Sequence, residues 1–209
     1  MSEAHVTMGA HTAAPMEAPP FAIPSKKLAM WLFVMADVMT FAACVAAYAF
    51  TRNATPDWPR PFHSVTAVAV MTVIMLTSGL TMLIALGAAK AGDKAGAFRW
   101  MMITAVAGII FTLLHIRDWM GMIDQGVGLL HNPWGTAAFG ASFYAITGFS
   151  LLHISIGTIA LIIVAIRYQG GRYNADDIEI VSIFWQFVGL VWLFIVPVVY
   201  LMNQTPAAR

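Results

Sequence analysis

Five long apolar runs decide what this chain can become. They lie at Leu28–Phe50, Ser64–Ala89, Phe98–His115, Ser142–Ile166 and Ile180–Met202, the third extending to Trp119. A helix needs roughly 20 apolar residues to cross about 30 Å of hydrocarbon. Lipid offers the backbone no hydrogen-bonding partners, so a lone spanning segment must be helical. The chain is therefore predicted to be all-α, an integral membrane bundle of five transmembrane helices over residues 28–203, with spans near 28–50, 64–89, 98–119, 142–166 and 180–202. Hydrophobic residues make up 60% and charged residues 10%, too little polar surface for a soluble domain.

Residues 1–27 carry Pro15, Pro19, Pro20 and Pro24 and no apolar h-region, so they are expected to form a Pro-rich tail rather than a cleaved signal. Residues 204–209 are expected to form a short tail at the other terminus. Lys26, Lys27, Lys90, Lys94, Arg99, Arg167 and Arg172 fall on the N-terminal side of the membrane. Arg52, Arg60, Arg117 and Arg209 fall on the other. Positive residues favour the cytoplasmic side, so the N-terminus and its tail are expected there and the C-terminus outside. The net charge of +1 argues against a nucleic-acid partner. A single cysteine, Cys44, excludes an intrachain disulfide and a Cys-based zinc site.

Polar residues inside the spans carry the functional information, because a charge at mid-membrane costs about 2.5–3.5 kcal/mol on insertion scales. Asp37 is the deep acid. Asp37, Thr40, Cys44, Tyr48 and Thr51 step by three and four and predict one polar stripe. Ala42, Ala43, Ala46 and Ala47 would let a neighbour approach closely. Asp37 either serves a functional crevice or is a protonated acid bonded to a neighbouring helix. No Lys or Arg shares its depth, so any stabilising countercharge is expected from a partner subunit. His153 is the one deep histidine of six; His5, His11, His63 and His131 fall outside the spans. A haem site needs more placed ligands, so a structural hydrogen bond is the better reading of His153. His115, Asp118 and Trp119 share a face at the end of the third span and are expected at headgroup depth. No metal site and no catalytic residue is expected. Gln186 needs a partner, Gly189 permits close packing, and Pro197 should loosen the last turns.

The segments "AMWLFVMADVMTFAACVAAY", "HIRDWM", "TGFSLLHISIG" and "FWQFVGLVWLFIVPVVYL", in this order, resemble subunit III of the haem–copper oxidase superfamily in its five-helix bacterial form. The resemblance covers about residues 27–203. Asp37 falls at that family's mid-helix acidic position and Asp118 at its second one. Ser150 stands where the family has the first histidine of a pair. Gln186 and Gly189 stand where its last helix has His and Asp. Pro197 and "LLH" at Leu151–His153 are closer to a branch associated with nitric oxide reductases.

The resemblance implies a non-catalytic subunit of a respiratory complex in the bacterial inner (plasma) membrane. Haem and copper would lie in its partners, catalytic subunit I and subunit II, and none in this chain. It implies phospholipid in a cleft between helices one and two and the remaining three. It also implies support of proton uptake and of stability during turnover. Asp37, Thr40, Tyr48 and His153 would belong to the lipid cleft or a proton entrance. Arg52, Arg99, His115, Asp118 and Trp119 would meet headgroups. A nitric oxide reductase accessory subunit is the alternative. A small proton-coupled transporter using Asp37 and His153 is a further one, against which stands the scarcity of deep polar groups.

Overall fold

The computed structural model describes residues 24–205. Most of the expected N-terminal tail, with His5, His11, Pro15, Pro19 and Pro20, lies outside the described residues, as does Arg209. All five apolar runs are helical: α1 Ser25–Ala54, α2 Thr66–Lys90, α3 Lys94–Asp124, α4 Ala137–Gln169 and α5 Ala175–Ile195. Each is long and apolar enough to cross a membrane. The 30 residues of α1 reach about 45 Å at 1.5 Å per residue, more than a hydrocarbon core requires. α1, α3 and α4 thus extend beyond their apolar runs at both ends, whereas α5 starts before its run and stops at Ile195 within it.

Local chemistry sets the ends. Gly92 (φ +81°) and Gly171 (φ +71°) reverse the chain after α2 and α4, in a backbone region that a Cβ disfavours. Asp93 accepts from the amide of Gly96 at 2.8 Å and starts α3. Asn174 and Asp177 form a reciprocal capping box at the start of α5. Pro197 lacks the N–H that would continue α5, and the backbone opens into a wider π-type turn at Val196–Tyr200, followed by a tight turn at Leu201–Asn203.

The core is aromatic and sits where α3, α4 and α5 meet. Gly108 of α3 and Gly157 of α4 both lie against the Trp185 ring of α5, and neither has room for a Cβ there. Trp185 and Trp192 are almost wholly buried. Their indole N–H groups donate to Ser78 and Thr72 of α2, each at 3.1 Å. Gln186 finds its partner in the carbonyl of Gly79, at 2.8 Å. These bonds tie α2 to α5 where lipid could satisfy none of the groups.

Helices α1 and α2 do not form the expected pair. α2 packs along α3 and α5, whereas α1 leans chiefly on α4 and α5. α1 buries little apolar surface and is secured by polar ties instead. At one end, Lys26 meets Asp177 at 3.1 Å and Lys27 meets Glu179 at 2.6 Å, with Lys90 also on Glu179 at 3.4 Å. At the other end lies fully buried Asn203. Its Oδ1 accepts from Arg52 at 3.3 Å and Trp58 at 3.1 Å, and its amide group donates to the Tyr48 hydroxyl.

Candidate functional site

The buried face of α1 is narrow: Val34, Asp37, Phe41 and Tyr48. Thr40 is not on it. Its side chain is exposed and bonds back to the carbonyl of Ala36 at 3.1 Å. Thr40 lies 300° around the helix from Asp37, at the edge of the stripe, and this buried face is too narrow to include it. Ala42, Ala43, Ala46 and Ala47 also face outward, so no helix among the described residues uses the close approach they permit.

Asp37 meets His153. The carboxylate Oδ2 stands 3.0 Å from Nε2 of the imidazole, and both side chains are more than 90% buried. Oδ2 lies off the axis expected of a ring N–H, so the contact is a close pair rather than an aligned hydrogen bond. The other ring nitrogen, Nδ1, lies 2.7 Å from the carbonyl of Phe149 one turn earlier on α4, which fixes the ring. Phe41 and Phe149 enclose the imidazole at ring separations of 5.5 and 4.5 Å. The group that faces Asp37 is therefore an imidazole of this chain, where the sequence pointed to a partner subunit for a countercharge. Charge counting overlooked His153 because an imidazole is formally neutral.

An apolar cleft of about 660 Å³ opens beside the pair. Met30 and Phe33 of α1, Ile156, Ala160 and Val164 of α4, and Ile180, Val181 and Phe184 of α5 line it. His153 is its deep polar group, while Lys26, Tyr173 and Asp177 stand toward the lysine-bearing end. The sparse packing of α1 makes this space. Oppositely charged Lys26 and Asp177 share it with a long apolar wall, an arrangement suited to an amphiphile.

The remaining expected residues divide. Arg99 is exposed and reaches back to the carbonyl of Ala95 at 3.4 Å. Arg52 turns toward the C-terminal segment and donates to the carbonyl of Met202 at 2.9 Å. Tyr48 belongs to the Asn203 cluster, not to the cleft. His115 is a correction: it is fully buried among Phe111, Trp119 and Trp192 rather than at a headgroup. α3 continues past the apolar run to Asp124, which leaves His115 well inside the helix. Trp119 likewise turns inward and donates to Thr147 at 3.1 Å. Asp118 accepts from the Tyr200 hydroxyl at 3.0 Å and borders a second cleft of about 340 Å³ with His63, Ser64 and Arg117. Sequence reasoning missed Ser78, Thr72 and Asn203, whose polarity matters only through partners on distant helices. Among the described residues, no three His, Cys, Asp or Glu side chains converge as a metal site would require.

The profile of cytochrome c oxidase subunit III matches residues 3–204. A cytochrome c oxidase subunit 3 from Alkalihalophilus pseudofirmus is 31% identical over 185 residues, covering 86% of this chain and 87% of the relative. A cytochrome bo(3) ubiquinol oxidase subunit 3 from Pseudomonas aeruginosa is 31% identical over 178 residues, covering 83% of each. A quinol oxidase subunit 3 from Bacillus spizizenii is 29% identical over 181 residues, covering 84% and 86%. With five membrane-length helices in one bundle and a match over nearly its whole length, this chain belongs to the cytochrome c oxidase subunit III family.

Proposed function

We propose that this chain is the accessory, non-catalytic subunit III of a bacterial respiratory terminal oxidase. In this reading it stands in the plasma membrane beside the catalytic subunit. The redox centres belong to other subunits, and this chain holds phospholipid and supports proton uptake and stability during turnover. Asp37 with His153 at the deep end of an open apolar cleft is the observation that carries the reading. One acyl chain of a phospholipid would lie along Phe33, Ile156 and Phe184, with its headgroup near Lys26 and Asp177. The outward small residues of α1, among them Ala43 and Ala47, suit a closely packed helix of the catalytic subunit.

Ala160 lines the cleft, so Ala160→Trp should fill it. The purified oxidase should then carry less phospholipid, measured by mass spectrometry of the extracted complex. Unchanged lipid content would count against the cleft as the site. For the acid, Asp37→Asn retains a hydrogen-bonding side chain at that position. Assembly should be normal and steady-state turnover should fall at most a few-fold. A complex intact in haem content but inactive would give Asp37 a larger role than this reading allows.

Orientation is tested separately. The loops holding Gly92 and Gly170 join helix pairs at one end of the bundle, and those holding Pro59 and Gly128 at the other. Reporter fusions at the first two should read cytoplasmic, and at the last two external. A cytoplasmic signal at Gly128 would overturn the proposed orientation.

A further inference from the structure

We propose that His115 and Ser150 together hold an ordered water at the junction of α3, α4 and α5. His115 has no exposed surface and Ser150 is 1% exposed. Among the described residues, neither ring nitrogen of His115 has a hydrogen-bonding partner, and neither does the Ser150 hydroxyl. A buried polar group left unpaired forfeits its hydration without recompense, so each calls for a partner.

The two side chains share one level of the bundle. Gly108 of α3, Gly157 of α4 and Trp185 of α5 meet at one layer of the core. Seven residues span about two helical turns. Two turns further on α3 lies His115, two turns further on α5 lies Trp192, and two turns back along antiparallel α4 lies Ser150. The His115 and Trp192 rings are indeed in contact, 5.4 Å apart between centroids. The α3/α4 register agrees one turn beyond, where Trp119 donates to Thr147 at 3.1 Å. Other hydroxyls of α4 bond to the carbonyl four residues back, as Thr147 and Thr158 do. Ser150 does not, so its hydroxyl remains available to another partner.

A neutral imidazole presents one N–H donor and one acceptor nitrogen. Water can donate to the acceptor nitrogen and accept from the Ser150 hydroxyl, while the ring N–H can face one of the surrounding aromatic rings. Buried waters typically make about three hydrogen bonds to such groups. The water would lie between the Asp118–Tyr200 bond and the Asp37–His153 pair.

The test uses the assembled oxidase with ¹⁵N-labelled histidine in lipid. Water-edited solid-state NMR should show polarisation transfer from a bound water to one histidine ring whose signal disappears in His115→Gln. Ser150→Ala removes only a hydroxyl and should keep the fold. It should weaken or abolish that transfer and shift the ring nitrogen, whereas Ser150→Thr should restore it. Absence of water transfer to the His115 ring in the parent protein would overturn the proposal. Transfer undiminished by Ser150→Ala would overturn it as well. If His115→Gln does not assemble, a density map of the parent complex that resolves buried water decides. Density within hydrogen-bonding distance of both side chains supports the site, and its absence where other buried waters are resolved removes it.

Discussion

His153→Leu should destabilise the membrane domain by about 3–5 kcal/mol if Asp37 is left charged, the range for removing one partner of a buried ion pair. The loss comes from what remains: a buried carboxylate without its imidazole, in a site where Phe41 and Phe149 had enclosed that ring. Protonation of Asp37 would limit the loss by neutralising the acid, and the magnitude therefore reports its charge. The double variant Asp37→Leu/His153→Leu should recover much of the stability, because it removes the orphaned acid along with its partner. Thermal unfolding of the purified complex, followed by release of this subunit, measures both. Two independent losses, with the double variant worse than either single one, would show that the pair is not coupled.

Gly140→Val should have a still larger effect. A Cβ at Gly140 would collide with the carbonyl oxygen of Gly128. The obstacle is backbone, so no side-chain rotation relieves it. Either α4 or the loop before it must move, and Phe139 and Phe143 on that helix are fully buried. The variant should fail to accumulate in membranes. Gly121→Ala is the control: nothing lies within 4 Å of its Cβ position, so that variant should accumulate normally. Equal membrane levels of Gly140→Val and the parent would refute the close approach.

What was legible in the sequence followed from transfer free energy. Each apolar run is long enough to specify its own helix, and all five are helical. Pairing between helices was less legible. Periodicity placed Tyr48 and Asp37 on one stripe but gave no measure of its width, so Thr40 was included wrongly. His115 looked interfacial because the apolar run ends there, yet α3 continues, and Trp192 of α5 closes over it with Phe111 and Trp119 of α3. Asp37 could be recognised as costly from its depth, but its imidazole partner lies on α4, and local sequence carries no signal for that meeting.

The polar ties of α1 have a consequence for biogenesis. Lys26 bonds to a residue 151 positions later, and Tyr48 to one 155 positions later. α1 leaves the ribosome before its partners on α4, on α5 and in the segment after α5 exist. It must therefore wait in the bilayer as a separately inserted helix, with Asp37 unpaired until His153 has been made and Tyr48 and Arg52 unclasped until Asn203 has been made. Such late closure makes the first helix the natural point of capture for quality control. A chain that stops short of Asn203 would retain five membrane-length hydrophobic stretches yet lack the C-terminal clasp on α1.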